Sequence, residues 1–364
     1  MQQEQSTLKS LALALLRVLR FIVIVIVATY VSALVVYLVL RLLFGDSRWW
    51  LAVINNFSFW LFLPLVIAVP LAVLTLRRWL IVAVAIPTII ALIWIGPYFL
   101  PKSTAAASGR TLHIVTFNMY QKNPRIADAE AWLHQETADI VFLQEIPHIY
   151  TGDSTNEAAG LKDVYPYQIN QRWGIRFWGN MVLSRYPILS SENVELIAND
   201  ATQESIQQRV TLSVEGQTIA VYNIHLSEPV GEVKRLTLPF GGDAADSLLH
   251  YDDTKRNQQI STLLAKLKTE KLPYIVAGDF NTSSQGVTYG SLAAPLADTY
   301  REAGIGLGQS WPAAGEAGWP DYVPPLMRID YIWHSPEFRA LEAHQGPKLG
   351  SDHLPLLATL ELKQ

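Results

Sequence analysis

Three apolar runs, about Phe21–Leu40, Phe57–Leu76 and Trp79–Leu100, take up most of the first hundred residues of this chain. Each approaches the ~20 residues that an α-helix needs to cross the hydrocarbon core of a bilayer. They predict a membrane anchor over residues 1–101 with three transmembrane helices. A cleaved signal peptide accounts poorly for the first run, which is long, lacks a small-residue cleavage site and is followed by two more. Pro64, Pro70, Pro87 and Pro97 would break helices in water, but neighbouring helices can take up the freed carbonyls inside a membrane. None of the runs contains an acid or a histidine, so they offer no ion path.

Short loops rich in Lys and Arg tend to stay in the cytoplasm. Lys9, Arg17 and Arg20 precede the first run and Arg77 and Arg78 separate the second from the third, whereas the first loop holds only Arg41 and Arg48. The bias predicts a multi-pass protein of the inner (cytoplasmic) membrane with a cytoplasmic N-terminus. Three crossings would then put everything after Lys102 on the extracytoplasmic side.

The hydrophobic fraction of 50% and the mean hydropathy of +0.19 are high for a soluble protein, and the excess is local. Residues 1–109 hold eight Lys and Arg against two acids, so the remainder carries a net charge of −10. A sequence-blind nucleic-acid binder needs a basic face to neutralise phosphates, and this balance counts against one. The chain has no cysteine, which excludes disulfides, thiolate nucleophiles and zinc–thiolate sites.

Residues 102–109 are small, polar and pattern-free, as a linker should be, and a domain over 110–364 follows. Apolar runs there predict strands over Leu112–Phe117, Ile140–Leu143, Met181–Ser184, Val210–Val214, Ile219–Ile224, Tyr274–Ala277, Ile329–Trp333 and Leu356–Leu362. Glu215 and Gly216 read as a hairpin turn. Helical spacing covers Ile126–Glu136 and Thr254–Thr269. Hairpins mixed with strand–helix–strand units predict a layered α/β domain with mixed sheets. Two long polar segments, 227–253 and 302–325, are expected to wall a substrate site.

Polar residues recur along the domain, most of them where an apolar run ends: Asn118, Gln144 and Glu145, His225, Gly278 to Asn281, Asp330, and Ser351 to His353. Hydrolysing a phosphoester near neutral pH requires a cation on the phosphoryl oxygens, a group that orients or deprotonates water, and a donor for the leaving oxygen. Hard oxygen ligands without cysteine select Mg²⁺ or Mn²⁺. Glu145 is the natural metal carboxylate. Asp279 is suited to hold the attacking water and Asn281 to donate to the phosphate, with Gly278 allowing close approach of the backbone. Asp330 sits inside an apolar run, where a carboxylate needs a partner, and His353 supplies one. Taken singly, Asn118 and His225 are ambiguous; their weight comes from arriving with the others.

Thr116–Asn118, Gln144–Glu145, His225–Leu226, Gly278–Asn281, Arg328–Tyr331 and Ser351–His353, in this order over about Arg110–Leu362, resemble the endonuclease/exonuclease/phosphatase superfamily. The resemblance implies a four-layer α/β sandwich, two packed mixed β-sheets flanked by helices, with the site at the upper sheet edge. It also implies that Glu145 binds the ion with Asn118 beside it, Asp279 activates water, Asn281 holds the phosphate and Asp330 orients His353. Asp352 would join the metal or leaving-group side, and His225 would contact the phosphoryl group. The N-terminal runs, residues 179–187, and Ser310–Pro312 ahead of residues 325–330 resemble a membrane-anchored bacterial branch that includes teicoplanin-resistance proteins, which are thought to act on undecaprenyl pyrophosphate outside the cell.

The expectation is a Mg²⁺- or Mn²⁺-dependent phosphohydrolase whose partners are the lipid bilayer and a lipid-linked phosphate or pyrophosphate, with no protein partner. An envelope nuclease acting on DNA is the lesser reading. A phospholipase- or sphingomyelinase-type phosphodiesterase and a silent membrane receptor stand behind it. Trp173, Trp178, Trp311 and Trp319 are candidates for a lipid interface.

Overall fold

The computed structural model describes residues 2–102, 107–146, 158–173, 176–200, 205–231 and 249–363. The side chains of Trp173 and Trp178, residues 103–106 of the linker and residues 232–248 of the first polar segment lie outside them. The chain forms two compact units, Met1–Phe99 and Leu100–Gln364.

The N-terminal unit is all helix: α1 (Gln2–Phe44), α2 (Trp49–Asn56), α3 (Ser58–Phe62), α4 (Leu65–Leu74) and α5 (Arg78–Trp94). This corrects the expectation of three spanning helices, because α1 alone, with 43 residues, is long and apolar enough to cross a bilayer by itself. The second run is broken. Phe57 (φ −106°, ψ 15°) leaves the helical basin between α2 and α3, and the axis bends by 72° there. Pro64, which has no N–H, falls between α3 and α4. The third run yields 17 helical residues, about 26 Å at 1.5 Å per residue, short of a ~30 Å hydrocarbon core.

Only 22% of the most apolar stretch of α1 is buried, so its leucines, isoleucines and valines present a large apolar surface that water does not favour. Buried Asn55 donates to the Gly45 carbonyl (3.0 Å) and to Asp46 (2.6 Å) and accepts from the Tyr37 hydroxyl (3.0 Å).

The second unit holds twelve named strands among the described residues: β1 (Arg110–Asn118), β2 (Ile140–Gln144), β3 (Tyr167–Trp173), β4 (Arg176–Ser184), β5 (Ile188–Glu195), β6 (Ile206–Val214), β7 (Gln217–His225), β8 (Tyr274–Asp279), β9 (Ala297–Asp298), β10 (Asp330–His334), β11 (Phe338–Gln345) and β12 (Leu356–Leu362). They form two six-stranded mixed sheets, ordered β11-β12-β1-β2-β4-β3 and β5-β6-β7-β8-β10-β9. Each has one parallel pair at its centre, β1 with β2 and β7 with β8, and antiparallel neighbours outside it. The parallel pairs need crossovers. Helix α6 (Ile126–Glu136) supplies the first and α7 (Thr254–Leu267) the second. Glu215 and Gly216, both at positive φ, turn β6 into β7 as a two-residue hairpin.

Side chains alternate across each strand, and that alternation builds the layers. Leu112, Ile114, Ile140, Phe142 and Val182 of the first sheet meet Val210, Leu212, Ile219, Val221, Ile275 and Ile332 of the second in one core. Val115, Phe117, Val141 and Leu143 face outward onto Ala129 and Leu133 of α6. Tyr222, Ile224, Val276 and Trp333 face outward onto Ile260 and Leu263 of α7 and onto Leu292 of α8 (Thr288–Ala293). The expected α/β sandwich of helix, sheet, sheet and helix is observed. Glu361 on β12 accepts the backbone N–H groups of Ser108 and Gly109, so the chain is already tied to the sheet at residues read as linker.

Candidate active site

On the face between the sheets, apolar residues give way to polar ones toward the same edge on every central strand. On β1, Leu112 and Ile114 are followed by Thr116 and Asn118; on β7, Ile219 and Val221 are followed by Asn223 and His225; on β8, Ile275 and Ala277 are followed by Asp279. Strand β10 runs the other way, so its polar residue, Asp330, comes at its start. Register does the rest. Asp279 pairs with His225 on one side and with Asp330 on the other, while Asn118 pairs with Gln144.

The backbone is special at three of these positions. Gly278 has φ +143°, and a Cβ there would fall 1.8 Å from the Ile224 carbonyl oxygen, so only glycine allows β7 and β8 to approach this closely. Glu145 (φ 47°) and Asn281 (φ 49°) are non-glycine residues in the left-handed region. Such conformations persist where surrounding structure holds them, and they cluster at functional sites.

Asn118 bridges two carboxylates, its Nδ2 donating to Glu145 Oε1 and to Asp279 Oδ2, each at 3.0 Å. Asp279 Oδ1 accepts from the Asn281 backbone N–H at 2.8 Å. His225 Nε2 lies 3.8 Å from Glu145 Oε1 and 3.9 Å from Asp279 Oδ2. His353 Nδ1 meets Asp330 Oδ2 at 2.9 Å, and its Nε2 is 3.7 Å from Asp279 Oδ2. Asp352 accepts from the Trp311 indole N–H at 3.1 Å. Asn281 Nδ2 donates to the Leu226 carbonyl at 2.8 Å, leaving its second N–H for another acceptor. The eight residues singled out in the sequence thus lie around one edge.

Their charges are coupled. Burial raises the Glu145 carboxyl above the usual range, against a hydrogen bond from Asn118. Burial likewise pushes Asp279 up to about 6, with His353 opposing it and Asp330 adding to it. Burial alone would lower the His353 imidazole; Asp330 and Asp279 reverse that and hold it well above its ordinary value. Four carboxylates, Glu145, Asp279, Asp330 and Asp352, face two imidazoles. Buried Asp330 Oδ1 has no hydrogen-bond partner among the described residues. A negative surplus of hard oxygens with an unsatisfied acceptor fits a divalent cation, and Mg²⁺ or Mn²⁺ matches these donors. Asp279, Asp330 and His353 also bring ligand atoms within 4.8 Å of one another.

Sequence reading missed several neighbours. Glu228 keeps an exposed side chain, yet loss of hydration among neighbouring groups and then the Glu145 charge raise its carboxyl above the usual range. Ser310 Oγ accepts the backbone N–H groups of Ile329 and Asp330, both at 3.3 Å, and so helps fix Asp330. Asn223 and Gln207, both fully buried, lie just beneath the site. The signal for Asn223 was available, since a polar residue inside the apolar run Ile219–Ile224 is the same anomaly that exposed Asp330. Trp311 and Trp319 pack edge to face at 5.1 Å within the second polar segment, and both are partly buried.

A search of curated proteins finds no match to this sequence. Among solved structures, an endonuclease/exonuclease/phosphatase from Bacteroides vulgatus is similar at 20% identity and a TM-score of 0.54, covering 70% of this chain and 100% of that one. The human Nocturnin catalytic domain with bound sulfate is similar at 18% identity and a TM-score of 0.50, covering 71% of this chain and 97% of that one. Truncated Caenorhabditis elegans TDP2 is similar at 14% identity and a TM-score of 0.51, covering 69% and 98%. These likenesses establish a shared fold. The sequence profile described as "Endonuclease/Exonuclease/phosphatase family" matches residues 115–353, which run from the core of β1 to His353 itself, and the chain therefore belongs to the endonuclease/exonuclease/phosphatase family.

Proposed function

We propose that this protein is a Mg²⁺- or Mn²⁺-dependent phosphohydrolase, held at the extracytoplasmic face of a membrane and acting on a lipid-linked phosphate or pyrophosphate such as undecaprenyl pyrophosphate. One observation carries the chemistry: Glu145, Asn118 and Asp279 are hydrogen-bonded into one cluster beside a His353–Asp330 pair. Glu145 would hold the metal, with Asn118 and Asp352 beside it. When bound, the ion would neutralise charge on the phosphoryl oxygens.

The protein's own groups do the rest. Asp279, poised near 6, is mostly ionised at neutral pH and basic enough to take a proton from water. Asn118 and the Asn281 backbone fix the direction of its lone pairs, and the second N–H of Asn281 is left for a phosphoryl oxygen. Asp330 fixes the His353 ring, whose Nε2 side turns toward Asp279. His225 Nε2, between the two carboxylates, would donate to the phosphoryl or leaving oxygen.

Helix α1 supports the anchoring, since a tether raises the effective concentration of the catalytic unit at a lipid surface. The net charge of −10 after residue 109 favours a lipid-linked phosphate over DNA. Lys9, Arg17 and Arg20 ahead of the apolar part of α1 favour a cytoplasmic N-terminus. One crossing or three would leave the catalytic unit outside, whereas two would reverse it. The test is phosphate release from undecaprenyl pyrophosphate beside plasmid nicking, with Mg²⁺ or EDTA, using the full chain in detergent and the controls Asp279→Ala and His353→Ala. Release that survives either substitution would sink the site assignment, and nicking without lipid turnover would make the protein a nuclease. A reporter fused after Gln364 that works only in the cytoplasm would overturn the orientation.

A further inference from the structure

Beneath the site lies a layer of buried amides between the two sheets. Asn223, on β7, is fully buried, and all of its side-chain bonds cross to the other sheet. Its Nδ2 donates to the carbonyls of Leu143 on β2 and Met181 on β4, both at 3.0 Å, and its Oδ1 accepts from Gln144 Nε2 at 2.7 Å. In return, Asn180 on β4 donates to the Asn223 carbonyl at 3.1 Å. Leu143 and Met181 form the last paired residues of the β2–β4 ladder on the side of the site. Asn223 therefore caps that ladder from the opposite sheet.

The position matters. Asn223 stands two residues before His225 on its strand, and Leu143 stands two residues before Glu145. Other hydrogen bonds between the sheets lie toward the β3 edge, where Gln171 Nε2 donates to the Gln207 carbonyl at 3.1 Å and Gln208 Nε2 to the Ile169 carbonyl at 3.2 Å, at the far end, where Arg110 donates to the Val214 carbonyl at 3.0 Å, and within the site itself. Below Asn223 the inter-sheet core is apolar, and apolar packing is non-directional, so by itself it tolerates small slides of one sheet over the other. Hydrogen bonds in a dry interior set direction and distance, and they are demanding because an unpaired partner there is destabilising. An apolar residue of the same size would fill the space equally well, which leaves geometry as what the amide adds.

We infer that Asn223, with Gln144, is a positioning residue that locks the two sheets in register, so that Glu145 and Asn118 of one sheet keep their spacing to His225 and Asp279 of the other. The latch itself is a statement about structure; its effect on turnover rests on the proposed hydrolase reading.

Both are tested on the full chain in detergent with Asn223→Leu, with Gln144→Met as a second variant that removes one latch bond from the other sheet. Leu212→Ala is the control, because Leu212 lies in the same inter-sheet core at the far end of β6. The latch is read without substrate, by hydrogen exchange of the Met119 and Ile146 amides, which bond to the Gln144 and Gly179 carbonyls. Exchange there should quicken roughly tenfold or more in Asn223→Leu and measurably in Gln144→Met, and should stay near wild type in Leu212→Ala. Turnover of undecaprenyl pyrophosphate should fall about 10²-fold in kcat, and the Mg²⁺ concentration for half activity should rise, in Asn223→Leu but not in Leu212→Ala. The two single effects should be less than additive when combined. Exchange in Asn223→Leu and Gln144→Met matching that of Leu212→Ala would overturn the latch. Quickened exchange with unchanged kcat and Mg²⁺ dependence would overturn its role in positioning. A wild-type protein that turns over no phosphoester would instead refute the hydrolase reading, while the exchange result would still decide the latch.

Discussion

Gly278→Ala is the most direct probe of how the fold makes the site. In the wild type, Ile224 and Gly278 are register partners across the parallel β7–β8 pair, one residue before His225 and Asp279. An added Cβ would sit 1.8 Å from the Ile224 carbonyl oxygen at a φ of +143°. The oxygen is backbone and cannot rotate away, so the strands must part by on the order of 1 Å, enough to misalign a catalytic pair by about 10²-fold in rate. The φ adds about 1–3 kcal/mol of strain and the overpacking about 1–3 kcal/mol. Together these predict a loss of roughly 2–6 kcal/mol and a fall in Tm of about 5–20 °C for a unit of this size. Gly216→Ala separates the two effects, because Gly216 has φ +93° with nothing within 4 Å of an added Cβ. It should lose only about 1 kcal/mol and keep full activity. Thermal unfolding and kcat on both variants check the reasoning. A Gly278→Ala protein that melts like Gly216→Ala and turns over normally would refute the claim that close backbone approach sets the spacing of His225 and Asp279.

Three further outcomes are expected. Asp330→Asn should lower kcat by between about 10²- and 10⁴-fold with little change in KM, because it removes the group that fixes and charges the His353 ring; kcat within threefold of wild type would contradict that role. EDTA should abolish phosphate release and Mn²⁺ should restore it, as measured by released phosphate; full activity in EDTA would remove the cation from the account. Arg328→Met should cost about 3–5 kcal/mol at pH 7, because it leaves Asp298 buried without its cation. The pH dependence of that loss has a definite sign. Burial would raise Asp298, but Arg328 holds it below its usual range, so in the wild type the pair stabilises above about pH 4 and the contribution fades as pH falls through the folded pKa. In Arg328→Met the carboxyl should titrate above its unfolded value, so the loss should shrink as pH is lowered from 7 toward 4. Denaturant midpoints across that range that show a constant loss would refute this.

The eight strands anticipated from apolar runs are β1, β2, β4, β6, β7, β8, β10 and β12, the interior strands of the two sheets, and the four unanticipated ones are the edges, β3, β5, β9 and β11. An interior strand is covered on both faces and both sides, so its sequence must be apolar. An edge strand faces water along one side and tolerates charge. Strand β5, with Ser190, Ser191 and Glu192 exposed, carries no apolar run to recognise. The anchor was read less well. Composition located three apolar runs, but helix length depends on where the backbone breaks, and Phe57 and Pro64 break it whereas Pro70 and Pro87 lie inside continuous helices.

What the amino-acid order alone determined is the set of chemical groups and where each would emerge. Polar residues at the ends of apolar runs had to arrive at strand ends, and six such endings named the family. What only the tertiary structure decided is which groups meet. Asn118 and Asp279 are 161 residues apart and share a 3.0 Å hydrogen bond, and the amide latch of Asn223 joins strands of different sheets. Those contacts depend on strand order, on register and on how two sheets stack, and periodicity along one strand contains none of these because it describes each strand against an unspecified neighbour.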